Sequence, residues 1–170
     1  MESIHKLEDK IEVWLKPLPH LPTTWRKWLA GNVWWIVLVG VIISAFGIFS
    51  LFSALSFLTA TTNYYGAVLQ EAGVQVHGSL WSVSIYISIA LLVVTVVLEA
   101  MAISPLKTQN KKGWDLMFLA YLIGIASSVI SALLNLEIMS LIGAAISAVI
   151  GAYFLFEIRS YFKLVATVKK

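Results

Sequence analysis

The chain contains no cysteine. Disulfides, thiol nucleophiles, thiolate metal ligands and palmitoyl or prenyl anchors are all excluded by that one absence. Charge is nearly as scarce: Asp, Glu, Lys and Arg make up 12% of the 170 residues, against about 25% in an ordinary soluble domain. The three histidines, His5, His20 and His77, are scattered with no Asp, Glu or His grouping at ligand spacing, so no metal centre is expected. There is no Walker loop, no G-x-G-x-x-G and no G-x-S-x-G, which removes the common nucleotide, dinucleotide and hydrolase readings. No serine has a plausible histidine partner within an apolar segment. The sequence therefore predicts a protein that is not an enzyme and holds no cofactor. Three of the four prolines, Pro17, Pro19 and Pro22, crowd into one short stretch, and the fourth is Pro105.

What fills the chain instead is apolar. Hydrophobic residues make up 59% and the mean hydropathy is +0.87, well above the roughly 45–50% of a soluble domain. They form four long runs, at about 33–58, 80–103, 114–134 and 138–161. Each is close to or above the roughly 20 residues that a transmembrane helix needs. The predicted fold class is all-α: an integral membrane four-helix bundle preceded by an amphipathic cytoplasmic helix. Residues 1–31 are read as the cytoplasmic and interfacial segment, 32–162 as the membrane domain and 163–170 as a short basic tail. No cleaved signal peptide is expected, because an acidic segment with Glu2, Glu8, Asp9 and Glu12 precedes the first run, and that run is too long for a signal sequence.

All twelve basic residues lie in three of the five polar segments. Lys6, Lys10, Lys16, Arg26 and Lys27 precede the first run; Lys107, Lys111 and Lys112 separate the second and third; Arg159, Lys163, Lys169 and Lys170 close the chain. The connections 59–79 and 136–138 carry none. Positive charge beside a span resists translocation, so the asymmetry predicts that both termini are cytoplasmic. It also accounts for the net charge of +3 without any nucleic-acid partner.

Within residues 3–16, Ile4, Leu7, Ile11, Trp14 and Leu15 share one helical face, suited to lie on the membrane or to pack on a partner or on the loop between spans two and three. The prolines then interrupt helicity, and a short helix is expected through Trp25, Trp28 and Leu29 before span one. Trp34, Trp35, Trp114 and Tyr161 are expected to form an inner aromatic belt, with Tyr64, Tyr65 and Trp81 in the outer one. The outer loop 59–79 is read as irregular apart from a turn near 67–71. Span two is expected to end at Ser104–Pro105, and a few residues around Glu137 tie spans three and four into a hairpin.

In lipid, helices associate through small residues and interhelical hydrogen bonds. Gly143, Ser147 and Gly151, spaced by four on span four, face such a role with Ala144, Ala148 and Ala152. Gly124 and Ser128, with Ser131 and Asn135, do so on span three, and Gly40 and Ser44 on span one. The stripes of spans three and four predict the tightest contact in the molecule, or else an oligomer interface or the wall of a conduit. A carboxylate in the hydrocarbon is costly, which singles out Glu99 in the last third of span two. Glu157, Arg159 and Asp115 lie at a similar depth and are read with it as one polar cluster, either a proton or ion site or a structural lock.

The stretch Leu18-Pro19-His20-Leu21-Pro22, followed by Trp25-Arg26-Lys27-Trp28-Leu29 and Trp34-Trp35, resembles small inner-membrane proteins of bacteria, as does the ending Phe156-Glu157-Ile158-Arg159-Ser160-Tyr161. The resemblance implies a four-span protein of the bacterial cytoplasmic membrane and carries no activity with it. Two functional expectations follow. One is a non-enzymatic scaffold or partner subunit, whose partners are the lipid bilayer and a second copy or another membrane subunit. The other is a small oligomeric transporter or channel using Glu99.

Overall fold

Proline sets the first boundary. Helix α1 (Glu2–Leu15) stops just before Pro17, and residues 19–22 run without regular structure. The next helix begins at Thr23, its first turn closing on the Pro22 carbonyl through the Arg26 amide (3.1 Å). Pro22 loses nothing there, because the first amides of a helix have no partner within it. The structure is a computed structural model and describes residues 2–71, 79–134 and 138–162. It is all-α: α1 is followed by α2 (Thr23–Glu71), α3 (Ser79–Lys107), α4 (Lys111–Leu134) and α5 (Ile138–Arg159). The connection around Asn135 and Glu137, the segment 72–78 with His77, and the tail 163–170 lie outside the described residues.

Four of these helices are long and apolar enough to cross a membrane, and their large apolar side chains, such as Ile43, Phe46, Phe49, Ile138 and Met139, point outward. Such exposure is untenable in water and ordinary against lipid. The chain is a multi-pass membrane protein.

Two boundaries differ from the sequence expectation. The short helix through Trp25–Leu29, span one and much of the expected outer loop form a single helix of 49 residues, about 73 Å long at 1.5 Å per residue. That exceeds the roughly 30 Å hydrocarbon core, so α2 projects beyond it. The Ser/Thr-rich stretch reads as a loop because its side chains are polar. Here they bond back to their own helix: Ser56 Oγ to the Phe52 carbonyl (2.9 Å), Thr59 Oγ1 to Leu55 (2.8 Å) and Thr61 Oγ1 to Phe57 (2.8 Å). The second difference is Pro105, which lies inside the last turn of α3 instead of ending it. In that turn its missing N–H removes only one helical bond.

The turn from α3 to α4 is closely determined. The Asn110 amide bonds to the Pro105 carbonyl (2.9 Å) and the Gln109 amide to Leu106 (3.0 Å), with Gln109 at φ 51°. This is a Schellman closure, with glutamine in the left-handed position that glycine usually takes. Asn110 then caps α4, its Oδ1 accepting from the Lys112 amide (3.0 Å). Gly113 follows, so close to α3 that a Cβ there would lie 2.6 Å from the Leu106 backbone nitrogen.

The four long helices are neighbours in a ring: α2 against α3, α3 against α4, α4 against α5, and α2 against α5, with no approach of backbones across either diagonal among the described residues. The pair α3/α4 is the most extensive, contrary to the expectation for spans three and four. The cause is Tyr121. Its ring occupies the space that Gly151 leaves, 2.8 Å from where a Cβ would be, and its hydroxyl donates to the Ala148 carbonyl. A tyrosine ring thereby stands between the two small-residue stripes.

Candidate functional site

At the end of the ring that carries the basic segments, Trp114 and Phe118 stack face to face at 5.2 Å among Ala30, Val33, Ala102, Leu106, Leu155 and Ile158. Trp114 is fully buried and its Nε1 donates to the Leu155 carbonyl (3.0 Å), so it is a core residue and no part of an interfacial belt. Over this core lie the ion pairs. Glu8 of α1 is completely buried. Its Oε2 accepts from Arg159 Nη2 (2.9 Å) and lies 3.3 Å from Lys111 Nζ. Arg159 also pairs with Glu12 through Nη1 and approaches Asp9 (3.6 Å). Lys111 pairs with Asp115 (2.8 Å) and sits 3.9 Å above the Trp114 ring.

Glu157 faces a neighbouring set. It is buried, with Oε1 2.6 Å from His20 Nδ1 and Oε2 3.0 Å from Arg26 Nε. The Leu21 amide also donates to it (3.3 Å), and the Tyr153 hydroxyl donates to the Pro19 carbonyl (2.6 Å). The proline stretch is thus tied down at both ends. Every acid in these two sets has a base, and α1, α2, α4 and α5 each contribute a charge. The arrangement is a lock for the N-terminal segment, and a surface pocket of about 480 Å³ lies between its parts.

Of the four residues read as one cluster, the structure joins Asp115 to Arg159 through Lys111 and Glu8, and sets Glu157 beside them with partners of its own. Glu99 is not among them. Sequence reasoning missed Glu8, Glu12, His20, Arg26 and Lys111. Glu8 and Glu12 count as solvent-facing when α1 is divided into apolar and polar faces. The face that docks carries Glu8, Ile11 and Glu12, while Leu7 and Trp14 (78% exposed) remain open. The available signal was an acid-rich segment on the side of the membrane where every base lies.

Glu99 stands deeper, eight residues before the end of α3, hence about 12 Å along the helix. It lines two cavities. The first, of about 650 Å³, runs between α3, α4 and α5 and is walled by Thr95, Gly124, Ser128, Ser131, Ser147 and other small residues. Parts of the predicted packing stripes line it: Gly124 and Ser128 of α4 and Ser147 and Gly151 of α5 face this space, and a Cβ on Gly124 would meet nothing within 4 Å; Gly143, equally open, is not part of the lining. The second cavity, of about 590 Å³, lies closer to the basic end. It is apolar, formed by Val33, Val37, Gly40, Met117, Phe154, Leu155 and their neighbours. Ser44 is half-buried on α2 and lines neither cavity. Only Glu99, Tyr121 and Gly151 line both, so they form the junction. No protein-family model, curated protein or solved structure matches this sequence. The residues must speak for themselves.

Among the described residues Glu99 takes part in no ion pair and no hydrogen bond. A half-buried carboxylate at this depth without a basic partner must be met by water, a proton or a ligand cation. Several of the cavity hydroxyls are engaged elsewhere. Thr95 Oγ1 donates to Leu91 (2.9 Å), Ser128 Oγ to Gly124 (3.0 Å), and Ser131 Oγ lies 3.2 Å from Ser88 Oγ of α3. No group of His, Asp and Glu suited to a metal ion occurs among the described residues.

Proposed function

We propose that this protein is a small, non-enzymatic transport protein of the bacterial cytoplasmic membrane, which takes up a proton or a cation at Glu99. The observation that carries this reading is the position of Glu99: an acid without a basic partner, where a polar cleft and an apolar chamber meet inside the ring of spans. Glu8, Asp9, Glu12, Asp115 and Glu157 at the basic end are each paired and serve the fold. In this reading the basic end is cytoplasmic, the cleft is the entry from the far side, and Trp114 with Phe118 closes the near side.

The decisive comparison is flux in proteoliposomes. Glu99→Gln keeps the size and polarity of the side chain and loses its charge. Proton or cation flux is expected to fall to the level of protein-free vesicles. Flux through the wild type that is unchanged by Glu99→Gln removes Glu99 from the mechanism. Orientation is checked separately, and the absence of cysteine makes that clean. In intact cells a membrane-impermeant maleimide is expected to label Val68→Cys and to spare Lys16→Cys; the reverse pattern inverts the topology.

A second reading has its own observation. Gly124, Ser128, Ala144 and Ser147 face an open cleft that a small-residue face of another helix fits, as a scaffold or partner subunit requires. It predicts a stable oligomer or complex by light scattering in detergent, together with no flux in the wild type. A conducting monomer decides for transport.

A further inference from the structure

The two cavities differ in chemistry, and the difference restricts what Glu99 can bind. A bare inorganic cation needs a shell of oxygens, about six to eight for a calcium ion and six for magnesium. The junction offers one carboxylate and the Tyr121 hydroxyl, which already donates to the Ala148 carbonyl. The chamber beneath is lined by Leu29, Val33, Ile36, Val37, Met117 and Phe154 and supplies no oxygen ligand from their side chains. Its volume of about 590 Å³ falls within the roughly 300–1,000 Å³ usual for small-molecule sites. One charge of fixed sign thus stands at the rim of an apolar space, with aromatic rings at hand in Tyr121 and Phe154. Such a pairing of carboxylate, π faces and aliphatic wall complements a cation whose charge is carried on an apolar body.

We infer that the chamber and Glu99 together form a binding site for a lipophilic organic cation, an amine or onium ion whose apolar body fills the space between α2, α4 and α5 while its charge rests against Glu99. The inference rests on the transport reading for its physiological sense and goes beyond it in naming the ligand class. Entry is through the polar cleft or laterally from the bilayer, and Tyr121, pressed against Gly151, separates the two cavities. A neutral lipid chain gains from the same walls but nothing from the carboxylate, so charge is the discriminating property.

The probes are tetraphenylphosphonium and tetraphenylborate, nearly identical in shape and opposite in charge. Radiolabelled tetraphenylphosphonium is measured on the full chain in nanodiscs, with empty nanodiscs subtracted. Saturable binding is expected, displaced by unlabelled cation and not by tetraphenylborate. Glu99→Gln is expected to weaken it about tenfold or more, since truncating a desolvated charge pair ordinarily costs at least that. Gly40→Leu is the second variant. Its new side chain projects into the chamber from a Cβ position that meets nothing within 4 Å, so the fold survives while the space is filled, and binding is expected to fall by a similar factor with Glu99 intact. Competition by tetraphenylborate equal to that by the cation, or binding indifferent to Glu99→Gln, reduces the site to apolar partitioning and overturns the inference. So does the absence of saturable binding to the wild type. If proton flux still depends on Glu99 in that case, the ligand class has failed and the transport reading stands. Charge-selective binding with flux indifferent to Glu99 is the opposite result: the site stands and transport fails.

Discussion

Gly113→Ala is expected to melt far below the wild type in detergent, with a loss of about 3 kcal/mol, at the upper end of what overpacking usually costs. The added methyl would lie 2.6 Å from the Leu106 nitrogen, 2.8 Å from the Pro105 carbonyl carbon and 3.1 Å from the Leu106 Cα. A side chain in that position could rotate aside; the backbone of a neighbouring helix cannot do so without moving the helix. Leu106 is fully buried, and the Schellman closure and the Asn110 cap fix the three residues between α3 and α4. Relief therefore has to come from opening the turn, which separates the most extensive helix pair in the molecule and loosens Trp114 one residue on. Gly124→Ala is the control. There the new methyl meets nothing within 4 Å, and the gain in helix propensity, up to about 1 kcal/mol, makes the variant neutral or slightly more stable. Equal melting of the two variants would sink the argument from close approach. Gly151→Ala should fall between them, because the Tyr121 ring can shift, at the cost of its bond to the Ala148 carbonyl.

Gly113 also marks how far the sequence can be read. It stands two residues beyond a basic pair at the mouth of a span, and nothing in its neighbourhood announces that α3 passes within van der Waals reach. The features that were legible are those set by one-dimensional physics. Apolar runs of membrane length predict spans, and three of them agree with the helices to within a few residues. The segregation of Lys and Arg predicts that the three basic segments share one end, and Glu8, Lys111 and Arg159 do meet there. Features set by pairing across the chain were not legible. Small-residue stripes read as packing surfaces because such residues permit close approach, yet permission is not contact: Tyr121 sits between them and leaves Gly124 and Ser147 facing a cleft. Trp114 reads as a belt residue from its place at a span end, and is instead enclosed by Phe118, Phe156 and the two cations above it. Thr59 and Thr61 read as loop because their polarity is visible in sequence and their bonds to the preceding turn are not. Glu99 was found, since an acid within an apolar run is conspicuous by itself, whereas its separation from Glu157 and Arg159 depended on how deep it lies in α3 relative to the end of α5.

Arg159→Leu is expected to release α1. The guanidinium reaches Glu8, Asp9 and Glu12 together and lies above the rings of Trp114 and Phe156 at 5.3 and 5.7 Å. Removing it leaves Glu8, with no exposed surface, to share Lys111 with Asp115. Breaking a buried pair in this way costs about 3–5 kcal/mol, and Arg159 is itself partly exposed, so the lower figure applies. The cost has a ceiling, however. Among the described residues the backbone of α1 approaches only that of α5, with a side-chain pair to Lys111 of α4, so a penalty larger than its docking energy is avoided by undocking, which returns Glu8 to water. The spans then melt nearly as before. The change appears in α1, as rapid tryptic cleavage at Lys6 and Lys10 and loss of amide protection over residues 6–15. Arg159→Lys keeps the charge without the planar fork that serves several carboxylates at once, and is expected to be intermediate. Unaltered protection of α1 in Arg159→Leu would mean that the ion pairs do not hold it. The second lock sharpens the test: Glu157 with Arg26 and His20 holds residues 19–26 and does not contact Arg159, so cleavage should reach Lys10, the last cleavable site before Arg26 because Lys16 precedes Pro17, and stop short of Arg26. Adding Glu157→Gln should carry it further. That order, α1 first and the proline stretch second, is what two separate charge sets require and what a single undivided cluster would not give.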